Sequence, residues 1–246
     1  MFGLLKTTTL EFIGMRPEDG GVHSFAFHPT RPLHARAGQH GLLTLSGAGT
    51  KAFSLASAPR DPDVLIGTGL QSASRYKLAL AALRRGQRAT LHGPILNFTL
   101  DTAERQVVFL AHGDGIIPFR SLLRDITLTG LATQTTLIHV GRGHAYRSDT
   151  EPLAGSAHYP TDAESFRREL AAALSSQPDA TYYLSGASEF IADTTAVLSR
   201  SDVSSKHIKK DQFVGYQAAA PRPAATPADA EPDVAPANRA DRAAHI

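Results

Sequence analysis

One stretch, Gln106 to Arg124, limits what this chain can fold into more than any other: QVVFLAHGDGIIPFRSLLR. Val107 to Ala111 is a short apolar, partly β-branched run, the pattern of a buried strand. It breaks into His112-Gly113-Asp114-Gly115, a tight turn that glycine makes at little steric cost. Pro118 then stands where a helix begins, a position that suits its fixed φ and missing N–H. Phe119, Leu122, Leu123 and Ile126 continue with helical spacing. A strand, a glycine turn and a helix N-terminus together offer free N–H groups and the positive end of a helix dipole, and a pyrophosphate fits there. Taken alone, the same letters also describe an ordinary strand-to-helix turn of any α/β protein.

The text on either side decides how this unit is embedded. After Thr102, strand and helix alternate: strand 107–111, helix 118–127, strand Thr136–Val140, helix Ala163–Leu174, strand Thr181–Leu184, helix Ser188–Leu198 and a strand near Ile208. A long connection lies between Gly141 and Ala163. Such alternation implies a parallel sheet with helices on both faces. Before Thr102 the chain reads as six short strands: Leu4–Ile13, His23–Phe27, Gly38–Leu45, Ala52–Ala56, Val64–Gly67 and Arg88–Leu91. Gly, Pro and Asp clusters separate them, as in a small antiparallel barrel. One helix interrupts them, capped by Ser74 and ended by Gly86. The expected plan is β plus α/β: a six-stranded antiparallel barrel over 1–102, a parallel-sheet α/β domain over 103–216, and a tail over 217–246. That tail holds five prolines and twelve alanines among its thirty residues. Its few large apolar side chains cannot offset the entropy of ordering it, so disorder is expected.

Composition excludes several function classes. The chain has 246 residues and no cysteine, so it has no disulfide, Cys-ligated zinc or self-held iron–sulfur cluster. No apolar run is long enough to span a bilayer, and Lys6 after a very short apolar start is the wrong order for a secretory leader. A cytoplasmic setting is expected. A formal charge of +2 without basic-aromatic patterning gives no reason to expect nucleic acid. The eleven histidines are scattered without metal-ligand spacing, so no metal is expected. His139 on a strand and His158 in a loop read as structural or surface residues. Arg84, Arg85 and Arg88 read as a solvated helix end that could also dock an acidic protein.

A second constellation is Lys51-Ala52-Phe53-Ser54-Leu55-Ala56-Ser57-Ala58-Pro59, a cation, a ring and a hydroxyl along one strand. A cation can pair a pyrophosphate, a ring can stack on a flat cofactor, and a hydroxyl can bond a ring nitrogen. An amphipathic barrel strand with Phe53 in the core fits the same letters. The segment resembles the flavin-binding motif of the ferredoxin–NADP reductase family, Arg-x-Tyr-Ser followed by a small, Pro-ended stretch. Gly69 to Leu80 resembles that family's second flavin segment, and His92-Gly93-Pro94 its barrel-ending turn. Ala111 to Ser121 resembles its pyridine-nucleotide loop, Gly-x-Gly-Ile-x-Pro followed by Phe-Arg-Ser. Tyr182-Tyr183-Leu184-Ser185-Gly186 resembles its nicotinamide-side strand, and Phe213-Val214-Gly215-Tyr216 its usual ending. The resemblance covers about residues 3 to 216.

What it implies is an FAD-dependent NAD(P)H oxidoreductase. Lys51 stands for the arginine that pairs the flavin pyrophosphate. Phe53 lies against the isoalloxazine, with Leu55 in the same motif, and Ser54 near N5. Ser74, Tyr76 and Lys77 hold or flank the flavin pyrophosphate. Gly113, Asp114, Gly115 and Pro118 form the nicotinamide-nucleotide loop. Apart from the resemblance, Arg142 and Arg147 follow the second parallel strand, where a ribose 2′-phosphate would sit if the cofactor is NADPH, and they read equally as solvated loop arginines. Ser185 and Gly186 lie beneath the nicotinamide, and Asp211 and Phe213 approach the flavin. Ser54 and Ser185 are the candidate catalytic residues. The departures are Lys51 for arginine, a single-point donor, Phe53 for tyrosine, His112 for a small residue, Ser185 for cysteine, the carboxylate of Asp114 inside an anion loop, and the uncommon sequence Gly143-His144-Ala145-Tyr146-Arg147. NADPH or NADH would reduce FAD, and electrons would pass to a separate acceptor: an acidic ferredoxin or flavodoxin, a haem protein or a small molecule. Two alternatives stay open on the sequence: a flavin- or nucleotide-binding module that senses or scaffolds without turnover, and a plain NAD-binding protein.

Overall fold

The computed structural model describes residues 6–72 and 74–212. The expected tail over 217–246 and the expected contribution of Phe213 lie outside the described residues.

The first half is an antiparallel sheet built by alternation. Along β1 (Thr7–Pro17), Leu10 and Phe12 point inward and Glu11 outward, the period-2 pattern of a half-buried strand. With β2 (Val22–Pro29), β3 (His40–Leu45), β4 (Gly49–Ser54), β5 (Val64–Gly69) and β6 (Arg88–Ile95), it forms a six-stranded sheet in the order β4-β3-β6-β1-β2-β5. The sheet curls until its ends meet: Leu55, just past β4, bridges Ile66 of β5, and the Ala56 amide donates to the Leu65 carbonyl at 2.8 Å. Leu10, Phe12, Phe25, Phe27, Leu43, Ile66 and Leu91 fill the interior. Helix α1 (Arg75–Ala81) adds Tyr76 and Leu80 to it. Ser74 caps α1 by accepting from the Lys77 amide. The helix ends at Ala81, earlier than the expected stop at Gly86, so Arg84 and Arg85 lie in the turn beyond it and Arg88 on β6.

The second half is a five-stranded parallel sheet: β7 (Gln106–His112), β8 (Gln134–Val140), β9 (Ser156–His158), β10 (Thr181–Gly186) and β11 (Ile208–Gln212), in the order β11-β10-β7-β8-β9. All four neighbouring pairs are parallel. Val107, Phe109 and Ala111 of β7 face α2 (Ile116–Thr129), while Val108 and Leu110 face α4 (Ala163–Ser176) and α5 (Ser188–Arg200). Both faces are covered, which is why these strands are apolar throughout. The chain leaves β7 toward β8 and β9, then returns to the other side of β7 for β10 and β11. The order therefore reverses between β7 and β10, and the crevice outside their carboxyl ends is where such sheets bind ligands.

Three further sequence expectations change. Helix α2 starts at Ile116, with Pro118 third in its first turn and a 3₁₀ turn over Gly113–Gly115 leading in. First-turn N–H groups have no intrahelical partner, so proline is accommodated there as well as at the first position. The connection from 141 to 163 is not all loop; it contains a short helix α3 (Arg147–Thr150) and the edge strand β9. His158 accordingly lies on β9, where it pairs with Glu169 at 2.8 Å.

The halves interlock beside the crevice. Arg120 of α2 donates to the Ala56 carbonyl at 2.7 Å and pairs with Asp149 at 2.7 Å. Ser121 donates to the Ser57 carbonyl at 2.7 Å, and Arg124 pairs with Asp61. Tyr146, fully buried, meets the Ser24 hydroxyl of β2 at 2.8 Å.

Candidate functional site

The loop after β7 is shaped by two glycines with different duties. Gly113 has φ of 54°, a left-handed conformation, and a Cβ added there would meet open space. Gly115 has no such freedom of space: an added Cβ would lie 2.0 Å from the Ser185 carbonyl oxygen. The loop therefore rests directly on the end of β10. The N-cap of α2 is Gly115, which has no side chain with which to cap the helix, and a helix N-terminus favours an anion. Asp114 does not stay within this loop. Its Oδ2 accepts the Gly69 amide of β5 at 3.2 Å, joining the nucleotide-type loop to the end of a barrel strand.

The same β5 end gathers the cations. Lys77 donates from Nζ to the Gly69 carbonyl. Burial lowers the Lys77 pKa, Asp114 opposes that shift, and Lys51 adds to it. Lys51, Lys77 and Asp114 thus share one electrostatic neighbourhood, with exposed Ser74 at the start of α1 beside it. Phe53 is half-buried on β4, with its ring centroid 5.8 Å from that of Tyr76. Tyr76 itself is buried, and its hydroxyl donates to the Leu43 carbonyl at 2.7 Å. Burial pushes that phenol far above its ordinary value. Leu55 is likewise buried in the barrel interior. Both stand behind the surface that Phe53 and Lys51 present.

The two candidate serines, one on each sheet, are brought together by a chain of side chains. Ser54 of β4 and His40 of β3 are direct cross-strand partners, and Ser54 Oγ lies 2.9 Å from His40 Nε2. The same Nε2 lies 3.2 Å from Asp211 Oδ1. Asp211 is the register partner of Ser185 on adjacent parallel strands, and Ser185 Oγ donates to its other carboxylate oxygen at 3.3 Å. Ser54, His40, Asp211 and Ser185 are 3%, 5%, 5% and 0% exposed, so solvent does not break the chain. Gly186 follows with φ of 147°, packed against His112. Sequence reading misses His40. Its signal is its place inside a strand whose opposite residue is Ser54, a pairing visible only once register is known.

Beyond β8, Arg142 is exposed. Arg147 pairs with Glu151 at 3.1 Å and covers the Tyr159 ring at 4.3 Å. His139 is fully buried, and its Nε2 meets the Gly113 carbonyl at 2.9 Å. Burial, then the neighbouring His144, push its pKa down to about 3. It is therefore an uncharged support for the glycine loop. His144 packs on it at 5.0 Å and donates its amide to Asp19 of the barrel at 2.9 Å.

Among curated proteins, the chain is 30% identical over 111 residues to a flavohemoprotein of Deinococcus radiodurans, covering 42% of this chain and 27% of that protein. It is 31% identical over 137 residues to the reductase component of phenol 2-monooxygenase from Pseudomonas sp. (strain CF600), covering 54% of this chain and 38% of that protein. The chain thus spans well under half the length of these relatives. Among solved structures, a ferredoxin–NADP+ reductase from Neisseria gonorrhoeae with bound FAD and NADP superposes with a TM-score of 0.68 at 16% identity, over 84% of this chain and 98% of that one. No protein-family model matches. The described chain has the ferredoxin–NADP reductase-like fold, a curled six-stranded antiparallel sheet followed by a five-stranded parallel one.

Proposed function

We propose that this chain is an FAD-dependent NAD(P)H oxidoreductase that passes electrons to a separate acceptor. The observation that carries this reading is the convergence of Ser54 and Ser185, from two different sheets, on the His40–Asp211 pair at the carboxyl ends of β10 and β11. The fold likeness, the flavohemoprotein relative and the relative that is the reductase component of phenol 2-monooxygenase support it. In this proposal residues 1–102 bind the flavin and residues 103–216 the nicotinamide nucleotide.

The donor set fits such a pair of ligands. Lys51, Lys77 and the start of α1 at Ser74 would hold the flavin pyrophosphate, with Tyr76 beneath them. Phe53, with Leu55 behind it, would give the ring a face to stack on. The Ser54 hydroxyl would bond the ring edge. Gly113, Gly115 and the amides around Pro118 would hold the nucleotide pyrophosphate, Arg142 would meet its ribose phosphate, and Ser185 and Gly186 would support the nicotinamide. Bound FAD supplies the chemistry, accepting a hydride and releasing electrons singly. The chain's own residues orient both rings, exclude water and fix the hydroxyl at Ser54. For the acceptor we propose an acidic ferredoxin or flavodoxin, supported by the exposed Arg84, Arg85 and Arg88.

Denaturing the purified protein and identifying the released cofactor tests the flavin assignment. FAD is expected, in a yellow protein. A colourless protein that also fails to take up added FAD would contradict it.

A further inference from the structure

The bonds around His40 specify which of its nitrogens carries hydrogen. Nε2 faces a carboxylate oxygen of Asp211 at 3.2 Å and Ser54 Oγ at 2.9 Å. A bare lone pair there would oppose the lone pairs of the carboxylate, so Nε2 must be an N–H donor. Nδ1 is buried with no hydrogen-bond partner among the described residues. A proton on it would be a buried donor with nothing to accept it, which costs free energy. The imidazole therefore sits as the Nε2–H tautomer, locked by Asp211.

The tautomer determines what Ser54 can do. With His40 donating, Ser54 Oγ is an acceptor on that side. Its own hydrogen has no partner among the described residues and is left to donate. With the other tautomer Ser54 would have to donate to Nε2, and the hydrogen would be consumed.

We propose that His40 is a positioning residue of the redox site. It is oriented by Asp211 and turns the Ser54 hydroxyl into a hydrogen donor toward the flavin ring. This rests on the FAD reading above and deepens it. It also gives β11 a role in the site, because Asp211 reaches His40 only when β11 is docked beside β10. Neither His40 nor its tautomer enters the expectations drawn from the Ser54 and Ser185 motifs.

The test uses the full chain labelled with ¹⁵N-histidine. Nitrogen chemical shifts of His40, assigned with His40→Gln, should report the Nε2–H tautomer. Asp211→Asn is nearly isosteric, and an amide N–H in place of the carboxylate should shift His40 toward the Nδ1–H form. On the FAD-loaded protein, His40→Phe should keep FAD uptake but slow flavin reduction about tenfold or more, as loss of one preorganised donor does. Ser54→Ala should slow it similarly, and the double variant should be no slower than either single one, since both remove one coupled unit. His40→Gln, which can still present an N–H near the same place, should recover most of the rate. An Nδ1–H tautomer in the parent protein would overturn the inference. So would a His40→Phe variant that reduces as fast as the parent, or additive losses in the double variant; each leaves the FAD reading intact. A parent protein that takes up no FAD would overturn both.

Discussion

Asp114 illustrates how one side chain can mislead and inform at once. Read from sequence, a carboxylate between Gly113 and Gly115 opposes a bound pyrophosphate, with the alternative that it bonds a neighbouring amide. In the fold it bonds an amide, but one on the far side of the crevice, at Gly69. At an effective dielectric of about 20, a unit charge some 8 Å from the pyrophosphate contributes roughly 2 kcal/mol before salt screening. Lys77, in the same field, offsets part of it. Asp114→Asn keeps an acceptor for the Gly69 amide and removes the charge. It should tighten NADPH or NADH binding a few-fold, less so at high salt. Asp114→Ala loses the bond as well and should lower stability by about 1 kcal/mol. Titrations of both variants at two salt concentrations check this, and unchanged affinity throughout would separate the carboxylate from the nucleotide site. His139 gives a pH dependence. An unfolded histidine takes up a proton near 6.5, whereas folded His139 resists until about pH 3. Between those values the unfolded state binds more protons, so stability falls as pH falls. This one residue should remove about 2 kcal/mol between pH 8 and pH 5. Urea unfolding should show a shallower decline across that range in His139→Leu, and equal slopes would contradict the assignment.

At the scale of elements, α2 serves both halves at once. Its inner residues pack on β7, while Arg120, Ser121 and Arg124 reach the 56–61 segment that follows β4. Arg120 is nearly buried and bonded to a carbonyl and a carboxylate. Arg120→Met leaves Asp149 with the exposed Arg16 and the Ala56 carbonyl without its donor. It should cost about 2–4 kcal/mol, while Arg16→Ala, at the exposed end of the same network, should cost less than about 1 kcal/mol. Chemical denaturation of the two variants compares them directly. Long, strongly patterned elements were readable: β7, α4 and α5 lie close to where the apolar periodicity puts them. The four-residue α3 and three-residue β9 carry too few residues for any periodicity to register, and so read as loop. The start of α2 shifted because a 3₁₀ turn feeds it, and the proline rule tolerates any place in the first turn.

For the molecule as a whole, the bipartite plan was legible because alternation changes from period 2 to strand-and-helix near residue 102. Lys51, Ser54, Gly115 and Ser185 were named as site candidates by local motifs. His40 was not, because its meaning arises from β3–β4 register and from β11 arriving at the far edge of another sheet. Arg120 and Tyr146 were missed for the same reason: their partners lie 64 and 122 residues away. The central claim is that these distant pieces assemble one site where nicotinamide and flavin meet. Anaerobic titration of the FAD-loaded protein with NADPH and with NADH, following the visible flavin band, tests it most directly. Bleaching by at least one of them, at one nucleotide per flavin, is the expected result. A protein that holds FAD but keeps its full colour in excess of both nucleotides would contradict it, and would leave a flavin-binding module without reductase chemistry.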